Sequence, residues 1–201
     1  MNTIFCALLL VTIMNTPAPV VEQERPVSTL DADLRRSIVR WKGTKFRGRG
    51  KHEGTVSLAA GTLTTCGTGI CRGSFTLDMR SIAVTDIPEH EPVPRGRLTT
   101  HLNSRDFFWT ERYPTATFAL RQVTLLRGAT YRVSGDLTLR GVTRPLAFDA
   151  AVAESAGERR VTSALTIDRQ HWGIEYRFDP IRNEIVDDEI GLVLELVFPA
   201  K

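Results

Sequence analysis

Apolar residues in this chain recur at every second position far more often than at helical spacing, a pattern that predicts strands. In ICRGSFTLDM, residues 70–79, Cys71, Gly73, Phe75, Leu77 and Met79 fall on one face, and Arg72, Ser74, Thr76 and Asp78 fall on the other. Such alternation marks a strand with one buried face. TATFALRQV repeats it, with Ala116, Phe118 and Leu120 set against Thr117 and Arg121, as does TYRVSGDLTLRG with Tyr131, Val133, Leu137 and Leu139. RRVTSALTID aligns Val161, Ser163, Leu165 and Ile167, and the C-terminal EIGLVLELVF aligns Ile190, Leu192, Leu194, Leu196 and Phe198 opposite Glu195. Strands over RRSIVRWKGTKF and GTVSLAAGTLTT complete the set.

The glycine-containing stretches LAAGTL, LLRGATY and LRGVTRPL read as hairpin turns. Strands joined at such short intervals predict an antiparallel meander, closed as a sandwich or a barrel. Only GRLTTHLNSRDFF reads as helix, with Leu98 and Leu102 four apart and Ser104 and Asp106 ending it before the aromatics. The acidic, proline-containing TDIPEHEPVPRG at 85–96 reads as an exposed loop.

A length of 201 residues with 42% hydrophobic content suits one domain of ordinary size. Lys and Arg number 26 against 23 Asp and Glu, a net +3 with the charges scattered. KGTKFRGRGK at 42–51 is the densest basic stretch, but it lacks interleaved aromatics, and nucleic acid is not an expected partner.

Residues 4–14, IFCALLLVTIM, form an uncharged apolar run too short to span a bilayer and suited to a signal-peptide core. No Lys or Arg precedes it, and an apolar strand or an uncleaved anchor is the competing reading. The expected division is a signal peptide over 1–18, a linker over 19–34 and one domain over 35–201, exported to the periplasm or beyond. Cys66 and Cys71, in TTCGTGICRG, are then the remaining cysteines. In an exported chain this even pair across a GTGI turn reads as a disulfide, with free thiols as the alternative and metal disfavoured for want of a second cysteine pair.

Five segments in one order, WKGTKFRGRGKHEGTVSLAAGTL, GSFTLDMRSI, HLNSRDFFWTERYPTATF, VSGDLTLRGVTRPLAF and LTIDRQHWGI, resemble the YceI-like family of polyisoprenoid-binding proteins. The resemblance covers about residues 38 to 198. Most diagnostic are HL-x-S-x-DFF with YP-x-x-xF, then GDLTLRGVTRP. It implies an all-β, lipocalin-like antiparallel barrel of about eight strands with one short helix and a long apolar tunnel. It also implies a bound isoprenoid, quinone-like or fatty-acyl lipid, no catalysis and no cofactor. A homodimer and peripheral contact with a membrane or a membrane cytochrome are the partners that accompany it. EHEPVPRGRLTT and the cysteine pair depart from the pattern.

Within such a barrel the inward faces mix bulky Phe75, Phe118 and Phe148 with small Gly73, Ala116, Ser163 and Ala164, which leaves room for a slender ligand beside Leu77. A solid core is the competing reading of the same faces. A tail gains about 0.8 kcal/mol per buried methylene, which favours long polyprenyl or acyl chains once the costs of association are subtracted. The aromatics Trp41, Trp172 and Tyr176 suit a tunnel mouth or a core edge, and Phe107 and Phe108 suit a cap on one end. Among polar groups, His52, His101 and Arg169 are candidates to hold a head group. Arg169 reads equally as a structural clamp on Asp106 or Asp168. An exported hydrolase or isomerase acting through His101 or His52 is the alternative function. Against it, the sequence shows neither G-x-S-x-G nor H-E-x-x-H, and metal ligands at a recognised spacing are lacking. A packed interaction or stress-response module is the third.

Overall fold

The computed structural model describes residues 27–66, 69–155, 157–176, 178–179 and 184–199. The expected signal peptide lies outside the described residues. In chain order the elements are β1 (Val27–Asp31), β2 (Ile38–Lys45), β3 (Gly50–Cys66), β4 (Gly69–Val84), α1 (Pro92–Asn103), β5 (Thr115–Arg127), β6 (Thr130–Leu139), β7 (Val142–Ser155), β8 (Glu158–Asp168), β9 (Phe178–Asp179) and β10 (Glu184–Pro199). A turn of 3-10 helix, Arg169–Trp172, follows β8.

The ladder β3-β2-β10-β8-β7-β6-β5-β4 is antiparallel throughout, and β4 returns to pair β3, so eight strands close into a barrel. Side chains at alternate positions point to the axis. Ile190, Leu192, Leu194, Leu196 and Phe198 all turn inward, while Glu195 faces out onto Arg40 of β2. Val197, although on the outer row, is fully covered because Ala32 to Ser37 cross over it: the Asp33 amide donates to its carbonyl and the Ser37 hydroxyl accepts from its amide.

Four departures from the sequence reading have identifiable causes. The expected linker over 19–34 carries β1, whose register from Val27↔Cys66 to Asp31↔Thr62 continues along the edge of β3 that β2 has left. Its residues are nearly all exposed, so no apolar alternation announces it. LAAGTL is not a turn, since β3 runs unbroken from Gly50 to Cys66 and absorbs the irregularity as a register shift between Leu58 and Ala60. The helix begins earlier than expected, at Pro92 inside TDIPEHEPVPRG. Proline suits the first helical turn, where its missing N–H has no intrahelical partner to lose. Finally Ala164 faces outward, opposite in parity to Ser163, as strict alternation requires.

The barrel's two ends differ. At one end lie the β2–β3 connection, α1 with the loop that follows it, the β6–β7 turn and the 3-10 turn. At the other lie the β3–β4, β5–β6 and β7–β8 hairpin tips and the end of β10.

Candidate functional site

The barrel interior holds a cavity of about 130 Å³, some ten times the roughly 10–15 Å³ that one ordered water needs. Of the 25 residues lining it only Thr117, Tyr131 and Ser163 carry a polar side-chain atom, and none is charged. Ser163 already donates its hydroxyl to the Asp149 carbonyl at 2.6 Å. An interior of this kind favours hydrocarbon and disfavours any ionised group, whose desolvation it does not compensate.

Four of the sequence-predicted site residues, Phe75, Leu77, Phe118 and Phe148, line the cavity. Phe118 and Phe148 meet at 5.6 Å across the β5–β7 side, and Phe75 packs edge-on against Phe198 at 6.3 Å near the hairpin end. Sequence reasoning missed Ile70. Its neighbour Cys71 holds the favoured parity, but a register shift between Thr64 and Thr65 inserts one residue opposite and turns Ile70 to the interior.

The other eight do not line the cavity, and most of them build its floor. Phe107 and Trp172 are buried in the main core cluster, with Trp41, Phe108 and Tyr176 packed against it. The His101 ring stands edge-on to Phe107 at 4.9 Å and to Tyr176 at 4.7 Å, and Phe107 meets Tyr176 at 5.3 Å. Trp172 is pinned by its indole N–H donating to the Leu137 carbonyl at 3.1 Å. The loop HLNSRDFFWTERYP is folded on itself. The amides of Phe107 and Trp109 donate to the Ser104 carbonyl, the Phe108 amide to Leu102, and the Thr110 hydroxyl to the Asn103 side chain at 2.6 Å. Trp109, outside this floor, carries the guanidinium groups of Arg105 and Arg112 over its ring, each 5.1 Å from the ring centroid. Trp41 faces inward against Gly54, where a Cβ would come within 2.5 Å of the indole, and its buried Nε1 has no hydrogen-bond partner among the described residues.

His101 approaches Asp106 at 3.6 Å through Nε2, and His52 approaches Asp86 at 3.0 Å through Nδ1. Among the described residues neither imidazole is hydrogen-bonded to a serine, threonine or cysteine. The Ser104 hydroxyl donates to the His101 carbonyl at 2.8 Å rather than to its ring. Arg169 is a clamp, but its carboxylate partner is Asp188 at 3.0 Å, not Asp106 or Asp168. Its guanidinium also donates to the carbonyls of Asp187, Ile174 and Val186. Cys66 and Cys71 are joined by a disulfide across the β3–β4 tip, with Cα atoms 5.8 Å apart. Among the described residues no three His, Cys, Asp or Glu side chains gather into a metal site.

These features define a closed antiparallel barrel around an apolar tube, floored by aromatics. Residues 29–198 match the YceI-like domain family, and the chain belongs to it. A UPF0312 protein of Photorhabdus laumondii is 39% identical over 85 residues, covering 39% of this chain and 43% of that protein. Protein YceI of Escherichia coli O6:H1 is 46% identical over 83 residues, again 39% of this chain and 43% of the relative. The aligned stretch thus spans less than half the length of these relatives. BcnA of Burkholderia cenocepacia has a similar fold, with a TM-score of 0.67 at 21% identity over 83% of this chain and 99% of that one. A polyisoprenoid binding domain from Saccharophagus degradans superposes with a TM-score of 0.61 at 18% identity, over 88% of this chain and all of the other.

Proposed function

We propose that the barrel holds the hydrocarbon tail of one long amphiphile, polyisoprenoid, quinone-like or fatty-acyl, for carriage or sequestration outside the cytoplasm. The observation that carries the reading is the cavity of about 130 Å³ whose lining contains no charged residue. Each methylene moved from water into such a lining contributes about 0.8 kcal/mol, so about ten offer roughly 8 kcal/mol before the cost of association. The tail enters first and the head group stays at the hairpin tips, because the cavity supplies an ionised or phosphorylated head with neither charge nor donors. The polyisoprenoid binding domain of Saccharophagus degradans shares this architecture. Export accords with the apolar run at 4–14 and with the disulfide, since such bonds persist in oxidising compartments.

Binding rather than turnover is favoured because His101 and His52 both lie outside the cavity lining and, among the described residues, neither ring is hydrogen-bonded to a nucleophile. The test is extraction of the protein purified from its native host, followed by lipid mass spectrometry and displacement with a fluorescent polyprenyl probe. A long-chain lipid recovered in near-stoichiometric amount is the expected result. A protein that yields no lipid and takes up no probe overturns the reading.

A further inference from the structure

We infer that the hairpin end of the barrel docks on an anionic lipid bilayer, with Leu125 and Leu126 immersed at the interface and Arg72 and Arg127 on the lipid phosphates. The inference rests on the reading of the cavity as a lipid site, and adds the surface with which it exchanges its guest.

Three observations converge on that end. The inward row of β5 does not stop where the cavity does. Val123 pairs Val133 and Leu125 pairs Tyr131, and of these four only Leu125 lies beyond the lining. Leu125 is 57% exposed and Leu126 48% exposed, so the apolar lining runs out into solvent at the β5–β6 tip.

The barrel wall also parts beside this tip. The β4–β5 ladder extends from Asp78↔Thr115 only to Gly73↔Leu120. Beyond it, Gly69 to Arg72 pair with β3, and Gln122 to Arg127 pair with β6. Ile70, Leu120 and Val123 line the cavity at this parting, which offers a tail a sideways route between the two strands.

The charges at the parting are cationic and uncompensated. Arg121, further along β5, pairs with Asp136, and on the strands beyond Arg132 pairs with Asp149 and Arg159 with Glu154. Arg72 and Arg127, one on each side of the parting, have no acidic partner among the described residues. Exposed leucines flanked by unpaired arginines match an anionic interface, where apolar immersion and attraction to lipid phosphates add. A second copy facing this surface would bring arginine against arginine, so the bilayer is the occupant the charges favour.

The experiment is vesicle flotation of the full chain, on vesicles of phosphatidylcholine alone and on vesicles with one third phosphatidylglycerol. Co-purified lipid is measured in every variant, and circular dichroism reports the fold. The wild type is expected to float with the anionic vesicles and to be released by salt. Arg72→Glu with Arg127→Glu is expected to lower affinity for anionic vesicles by at least about thirtyfold, with little change on neutral ones. Leu125→Asp with Leu126→Asp is expected to lose at least about tenfold on both. Ile185→Asp, at an exposed apolar residue of the opposite end, is expected to float as the wild type does. Folded mouth variants that float like the wild type overturn the inference. So does equal loss in Ile185→Asp, or a mass doubling in solution that Leu125→Asp abolishes. A lipid-loaded protein that never floats removes the docking and leaves the cavity reading intact. One that floats through these residues but never takes up lipid does the reverse.

Discussion

The guanidinium of Arg169, only 1% exposed, lies 3.0 Å from the Asp188 carboxylate and at the same time ties the backbone carbonyls of Val186 and Asp187 in β10 to that of Ile174 just after the 3-10 turn. A charge this deep is tolerable only because every side of the planar fork finds an acceptor. Arg169→Leu takes the donors away from three carbonyls, while Asp188, 40% exposed, is reached by water, and the variant is expected to cost about 2–3 kcal/mol. Arg169→Lys keeps the charge but loses the fork, and should recover only part of that. Urea unfolding of both variants checks this, and a loss below about 1 kcal/mol for either would show that the clamp contributes little.

Occupation of the tube is testable by filling it. Ala150 is 2% exposed and lines the cavity, so Ala150→Phe projects a ring into space that is already empty. Overpacking a filled core costs about 1–3 kcal/mol. Here the expected loss is smaller, about 1 kcal/mol or less, while retained lipid falls by at least about tenfold. Lipid extraction beside thermal unfolding separates the two effects. A variant that unfolds without losing its guest contradicts the assignment of the void as the binding volume.

Asp187 supplies a pH dependence at the floor of the barrel. Its desolvation raises the carboxyl's pKa, but the Thr44 hydroxyl and the amides of Arg47 and Gly48 donate to it at 2.7, 2.9 and 2.8 Å and hold it below the ordinary aspartate value. A carboxyl depressed in the fold stabilises it above the unfolded value of about 3.9 and loses that contribution as pH falls through the folded value. Asp187→Asn is therefore expected to lower stability by about 1 kcal/mol at neutral pH. The gap from wild type closes below about pH 4. Melting temperatures measured from neutral to acid pH test the sign, and a gap that widens on acidification refutes it.

Much of the barrel was legible because one apolar face repeats at period two through β4, β5, β6, β8 and β10 and is not interrupted by charge. The elements that escaped carry weak or misleading local signals. β1 exposes nearly all its side chains and is held by backbone pairing to β3, which leaves no trace in hydrophobic pattern. The glycine of LAAGTL reads as a turn, yet Gly61 lies buried inside β3, where a Cβ would meet Ala32 and Leu58 at 2.9 Å. At the site, the aromatic run at 101–118 was visible as a cluster, but its role as the floor depended on a loop folding back on Ser104. Ile70 entered the lining only through a bulge, a shift of parity that depends on the partner strand.

The same bulge sits beside the disulfide, which gives the last prediction a local character. Cys66 and Cys71 close a loop five residues apart in sequence, and the chain-entropy relation for so short a loop gives about 2 kcal/mol. Replacing both by serine should therefore lower global stability by no more than about 2 kcal/mol. The effect should concentrate at the β3–β4 tip, where Gly69 to Arg72 have only β3 for a ladder partner. Amide exchange is expected to rise over residues 63–73, while the floor around Trp172 and Arg169 stays protected, because those elements pack at the far end of the barrel. Loosening this tip widens the parting beside Ile70, so displacement of bound lipid by a fluorescent probe is expected to accelerate severalfold. Uniformly faster exchange across the barrel would show instead that the bond stabilises the fold as a whole, and unchanged displacement would mean that lipid does not pass between β4 and β5.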